Sequence, residues 1–173
     1  MKKVVKFGGS SLASAEQFKK VGDIIRADKS RRYVVPSAPG KRSSSDTKVT
    51  DMLYSCYNLA IREKKFTSLL DEIHARYNEI IDGLNLELSL DHEFDMIREN
   101  FGKKIGRDYA ASRGEYLNGI IMANYLGFCF IDAAEVIRFH EDGSLDDEKT
   151  NELLSLRLEG EEFAVIPGFY GAK

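Results

Sequence analysis

Tryptophan is absent from this chain, and among its 173 residues are only three prolines and two cysteines. Two cysteines cannot build a disulfide framework, and Cys56 and Cys129 stand outside any metal-ligand spacing. Both read as buried, reduced thiols, Cys56 on the apolar face of a predicted helix and Cys129 inside a predicted strand. His74 and His92 have no metal-ligand company either, so no metal site is read from the sequence. No stretch approaches the ~20 apolar residues that span a bilayer. Met1-Lys2-Lys3 leads into a run that is apolar only briefly, unlike a signal peptide. No membrane partner is expected, and the cytoplasm is the default location. A strong charge of one sign is also missing. The net charge of −3 offers no bulk field for nucleic acid, so any anion site has to be local.

What is present describes an ordinary globular chain, 43% hydrophobic and 31% charged, long enough for one domain or one large lobe. Its most telling stretch comes early. Val4-Val5 reads as a short strand, and Lys6-Phe7-Gly8-Gly9-Ser10-Ser11 carries it into a glycine turn. Ser14 and Gln17 then have capping-box spacing for a helix. A lysine delivered to a glycine-rich turn before a helix suits an anion, because backbone N–H groups can approach phosphate oxygens while lysine adds charge. Glycines in such a turn also serve backbone freedom alone. The order differs from a P-loop, whose lysine follows the glycines, and from a G-x-G-x-x-G fingerprint.

Further along, Phe18, Val21, Gly22 and Ile25 form one stripe of a helix expected from about Ala15 to Asp28. Tyr33-Val34-Val35 is the next strand, which makes a β-α-β unit and favours a parallel sheet. Pro36 to Ser45 reads as a long mobile loop in which Lys41 and Arg42 could meet an anion. Val49, Met52, Leu53, Cys56 and Ala60 share a helix face, with Thr50 and Asp51 in its first turn. Two more stripes, Phe66 to Leu84 and Leu90 to Ile105, predict a helical hairpin broken at Gly83 and Asn85. Ser112-Arg113-Gly114-Glu115 is expected to open a helix apolar nearly all round. A carboxylate there either complements the helix dipole and pairs with Arg113 or Arg107, or receives a ligand's cation. Phe128 to Ile131 is a strand, Asp132 to Glu135 has turn or capping chemistry, and Val136 to Phe139 reads as a short edge strand. A charged helix from about Asp146 to Leu158 and a strand from Phe163 to Ile166 follow. The last strand runs into the Gly168–Gly171 loop, the kind of strand end at which α/β sheets bind ligands.

Together these segments resemble the aspartokinases of the amino-acid kinase superfamily. Lys6-Phe7-Gly8-Gly9-Ser10-Ser11 is similar to their N-terminal signature, and Val35 to Lys41 to the strand and loop that follow. Lys48-Val49-Thr50-Asp51-Met52-Leu53 is similar to their threonine-bearing helix start. Ser112-Arg113-Gly114-Glu115 is similar to their substrate-glutamate motif, and Ile166 to Gly171 to the loop before their nucleotide-binding half. The resemblance implies a three-layer α/β/α fold with a mostly parallel sheet, here in incomplete form, with a helical insertion at about residues 64–106. It makes residues 1–173 the aspartate-binding lobe, without the nucleotide-binding half and the ACT domains. It implies ATP, with Mg2+, as cosubstrate, L-aspartate as acceptor, 4-phospho-L-aspartate as product and a homo-oligomer at full length. Lys6 would be catalytic, and Lys6, Phe7, Gly8, Gly9 and Ser10 would surround the phosphate. Thr50 and Glu115 would hold aspartate, Glu115 through its ammonium group. Since the family's Gly-Arg-Gly-Gly-Ser-Asp-type segment is missing, the chain alone is expected to be inactive. A glutamate or N-acetylglutamate kinase, or a non-catalytic module of the same fold, is the alternative.

Overall fold

The valine pair does begin a strand. The computed structural model describes residues 1–173, with β1 (Lys3–Phe7) and β2 (Arg31–Pro36) paired in parallel. Val5 lies opposite Val34 and Lys6 opposite Val35. Their connection is helix α1 (Ala15–Arg26), started by Ser14, whose hydroxyl accepts the Gln17 N–H at 3.4 Å. That is the cap its spacing predicts. Phe18, Val21, Gly22 and Ile25 make its buried face. The helix stops two residues early because Asp28 accepts the Ser30 N–H at 2.8 Å and the Lys3 ammonium at 2.7 Å, which turns the chain back toward β2.

Helices α2 (Val49–Ile61), α3 (Thr67–Gly83) and α4 (Asp91–Gly102) each bury one stripe, as their periodicity predicts. Asn85 takes a left-handed conformation between α3 and α4, which asparagine tolerates better than most residues. Helix α5 (Arg107–Leu126), strand β3 (Cys129–Phe130), helices α6 (Ala133–Val136) and α7 (Asp147–Arg157), and strand β4 (Ala164–Val165) complete the chain. The sheet order is β1-β2-β4-β3, and every pairing is parallel.

Alternation along the strands produces the layers. Val34 and Val165 enter the large core with α1 to α5, while Tyr33 and Ala164 face a smaller core under α6 and α7. This is the expected three-layer parallel α/β/α arrangement. No helix is long and apolar enough to cross a membrane.

Three local expectations give way. Val136 to Phe139 forms no edge strand. Asp132 instead caps α6 by accepting the Ala134 N–H at 3.0 Å, and only isolated bridges follow, Arg138 to Ala172 and Phe139 to Leu145. Helix α5 begins at Arg107 rather than Ser112, entered through Gly106 at φ 142°. The loop after β2 is tied at several points, with Ser37 N–H donating to Phe7 O at 3.1 Å and Gly40 N–H to Gly9 O at 2.8 Å. Both cysteines are free; Cys129 is half-buried, and burial pushes the Cys56 thiol up to about 12, which keeps it protonated. His74 stacks on Phe94 with ring centroids 4.1 Å apart, a packing role, and His92 is exposed.

Where the helices converge, Phe101 is fully buried, with Tyr57, Phe66 and Tyr109 ring centroids 5.5, 6.2 and 6.3 Å away. Phe101→Ala should cost about 3–5 kcal/mol in urea denaturation. Leu156→Ala, at a position 61% exposed, should stay within about 0.5 kcal/mol.

Candidate functional site

All strands point their carboxyl ends the same way, so the segments leaving β1 and β2 meet at one edge of the sheet. After β1 the chain enters a 3-10 turn (Gly9–Leu12), with Ser11 N–H donating to Gly8 O at 3.1 Å. After β2 it runs through Ser37 to Lys48 and enters α2. The two loops touch through backbone: a Cβ on Gly40 would fall 2.5 Å from the Gly9 carbonyl carbon and 2.6 Å from the Ser10 nitrogen. Only glycine permits that approach. Helix α5 closes the far side, and Gly114 brings it against the loop, since a Cβ there would lie 2.8 Å from the Ala38 methyl.

Between these walls lies a cavity of about 490 Å³. Gly9 and Ser10 line one side, Ser37 to Lys41 the floor, Lys48 and Thr50 the start of α2, and Glu115 the α5 side. Three other cavities are at least as large: two of about 560 Å³, one beside Arg113 and Tyr170 and one beside Arg42 and Arg76, and one of about 500 Å³ beside Val35 and Ile166. None joins the glycine turn to Glu115, so convergence of chemistry locates the site better than size does.

Glu115 is the unusual member. It is only 6% exposed, and its Oε2 is buried without a hydrogen-bond partner. Burial raises its pKa, and the backbone amide of Ala38 opposes that only in part. With α5 starting at Arg107, Glu115 sits more than two turns inside the helix, too deep to complement the dipole. Nor does an arginine neutralise it. Arg113 lies over the Tyr109 and Tyr116 rings at 4.6 and 4.2 Å, and Arg107 over Tyr54 at 4.6 Å. Both internal explanations fail, which leaves a buried carboxylate that lines a cavity and lacks a cation.

The same lining carries the other sign. Lys41 and Lys48 line the cavity, and neither makes an ion pair or a side-chain hydrogen bond. Lys48 occupies the N-cap of α2, where a cation opposes the helix dipole. Sequence reasoning missed Ser37 and Asn118. Asn118 is fully buried and donates from Nδ2 to Ser37 O at 2.7 Å, which holds the loop against α5. Arg42 turns outward to Asp46 and Glu79, away from the cavity.

The sequence-derived residues thus divide. Gly9, Ser10, Thr50 and Glu115 share the cavity. Lys6 is exposed, two residues before Gly8, and outside the lining; Gly8 is exposed too, and Phe7 packs against the large core.

Such a site, at the carboxyl edge of a parallel sheet and lined by both charge signs, is suited to a small zwitterion or anion. The family model described as the amino acid kinase family matches residues 1–173. Aspartokinase 3 of Bacillus subtilis (strain 168) is 34% identical over 187 residues, covering 98% of this chain and 40% of that protein. The crystal structure of Clostridium acetobutylicum aspartate kinase superposes with a TM-score of 0.95 at 46% identity, covering 99% of this chain and 40% of that one. Aspartokinase III of E. coli, solved in complex with aspartate and ADP, superposes with a TM-score of 0.75, covering 99% of this chain and 41% of that one; at 21% identity the likeness speaks to the fold alone. The chain belongs to the amino acid kinase family. It spans about 40% of the length of these relatives.

The state of Glu115 has a measurable consequence for the ligand-free protein. Its folded pKa is raised above the unfolded one, so its favourable contribution is complete below the unfolded value and is lost as pH rises through the folded value. At pH 7 Glu115→Gln should therefore raise the melting temperature by about 2–4 °C, the equivalent of about 1 kcal/mol in a chain of this size. At pH 4 the calorimetric difference should nearly vanish.

Proposed function

We propose that this chain provides the amino-acid side of an ATP-dependent aspartate kinase. The observation that carries the reading is Glu115, a buried carboxylate without a cation, lining the same cavity as two lysines that have no ion-pair partner. An ammonium group would complete Glu115. The substrate carboxylates would lie toward Thr50, Lys48 and the loop amides. N-acylated substrates, which lack an ammonium, suit this wall poorly, and that favours a free amino acid. The relatives' names, aspartokinase and aspartate kinase, support aspartate as the acceptor of a phosphoryl group.

In the reaction, a side-chain carboxylate oxygen of aspartate attacks the γ-phosphorus of ATP. One P–O bond forms, the bond to the β,γ-bridging oxygen breaks, and ADP leaves with that electron pair. Both reactants are anions, so the demand on the protein is positioning and charge stabilisation rather than a protein nucleophile. Gly8, Gly9 and Ser10 would present donors to the transferring group, and Lys6 would neutralise charge developing on it. Mg2+ is the usual companion of such phosphates, but no cluster of three or more acidic, histidine or cysteine side chains converges in this chain. Glu115, already assigned to the ammonium, does not make a metal site. The nucleotide meets few residues here, so the 173-residue chain assayed alone should bind aspartate yet form little acyl phosphate, detectable as hydroxamate after hydroxylamine trapping. Steady turnover by the chain alone would overturn that part.

Titration calorimetry of the chain separates the readings. L-aspartate should bind, succinate, which lacks the ammonium, should bind at least about tenfold more weakly, and Glu115→Gln should erase the difference. Affinity for aspartate should fall as pH drops through the raised pKa of Glu115, because protonation removes the charge that meets the ammonium. Equal binding of succinate and aspartate by the unaltered chain would sink the assignment. In a full-length protein carrying this chain, Lys6→Ala should lower kcat about 10²-fold or more while leaving the aspartate KM within about threefold.

A further inference from the structure

The glycine turn and the loop facing it are gripped from outside the cavity. Arg76, in the middle of α3, is only 4% exposed, a costly place for a guanidinium without partners. Its Nη1 donates to Thr47 O at 2.5 Å. Its Nη2 donates to Gly40 O and lies 3.2 Å from Asp46 Oδ2. One side chain therefore closes both ends of the loop from Gly40 to Thr47. Gly40 passes the constraint on, since its own N–H donates to Gly9 O at 2.8 Å with the two backbones in contact. Beyond the loop's far end, Lys48 and Thr50 start α2. The next residue of α3, Tyr77, donates its hydroxyl to Gly114 O at 2.8 Å, one residue from Glu115.

We propose that Arg76 is a positioning residue for the cavity: by holding the Gly40 and Thr47 carbonyls it sets the spacing between the glycine turn, the Lys48–Thr50 wall and Glu115, and thereby the affinity for the amino-acid substrate. The proposal rests on reading the cavity as an amino-acid site. Arginine suits the task because its planar fork presents several donors in fixed directions, whereas lysine offers a compact charge on a flexible stem. Arg76 does not itself line the cavity and meets no reacting group; it touches the lining only through the Gly40 carbonyl, so it acts through the loop. Through Arg76 and Tyr77, a shift of α3 would move both walls together.

The test uses the 173-residue chain with Arg76→Met, Arg76→Lys and Glu115→Gln. Two readouts are combined, amide hydrogen exchange by NMR and L-aspartate affinity by calorimetry. Arg76→Met should speed exchange of the Gly40 amide at least tenfold relative to the buried amide of Leu53, and raise the aspartate Kd at least tenfold. Arg76→Lys, which keeps a charge beside Asp46 and is the milder change, should show both effects at smaller size and carries the test should the Met variant fail to fold. A merely structural role would lower the melting temperature while folded molecules kept the original Kd and Gly40 protection; that result overturns the proposal. If Glu115→Gln leaves aspartate binding unchanged, or the unaltered chain does not bind it, the amino-acid reading fails and the affinity claim falls with it. Gly40 exchange then still decides whether Arg76 sets the loop.

Discussion

Helix α5 is the element on which the other parts depend. It buries residues around most of its circumference, with the sheet on one side and α1, α2 and α4 on others. Close packing of that kind needs small residues at the points of nearest approach. Gly114 admits the Ala38 methyl, and Gly119 admits the Pro167 ring, where a Cβ would come within 2.7 Å of Cγ. A helix so enclosed cannot rotate without disturbing every layer. Whatever it carries inward is held with little freedom, and what it carries is Glu115.

This rigidity explains how the protein tolerates an unpartnered buried carboxylate. Placed on a loop, Glu115 could swing into solvent and the cavity would lose its charge. On α5 it stays buried, with an elevated pKa, and the cost is borne by the packing around it. The start of α2 works in the same way. Lys48 opposes the dipole of α2, and the tied loop after β2 keeps it there. Two locally unfavourable charges facing one cavity are what binding sites look like when the ligand supplies the missing partners.

Much of the fold was legible from local pattern. The stripes of α1 to α4 and the β-branched strands have a single good burial solution each, and period alone reveals it. The parallel sheet followed from the β-α-β start. Failures cluster where a local preference met a tertiary alternative. Val136 to Phe139 has strand composition, but Asp132 found a cap and the chain turned into α6. Helix α5 starts at Arg107, five residues before the Ser112 that its motif suggests, because Gly106 at φ 142° supplies the entry angle.

The sequence by itself determined which residue types were available and in what rhythm: a lysine and two glycines after a strand, a carboxylate in an apolar helix, a glycine beside it. Those facts are local, and on their own they leave the glycine turn open between an anion site and plain backbone freedom, and the carboxylate open between a capping role and a ligand's cation. Only the tertiary structure decided which of them meet. It placed Gly9, Ser10, Thr50 and Glu115 on one cavity, left Lys6 outside its lining, and removed Arg107 and Arg113 as partners by stacking them on tyrosines. The reason is that a charge is completed or left open by neighbours far away in sequence. No spacing rule records that Arg76 holds Gly40 while nothing holds the Oε2 of Glu115.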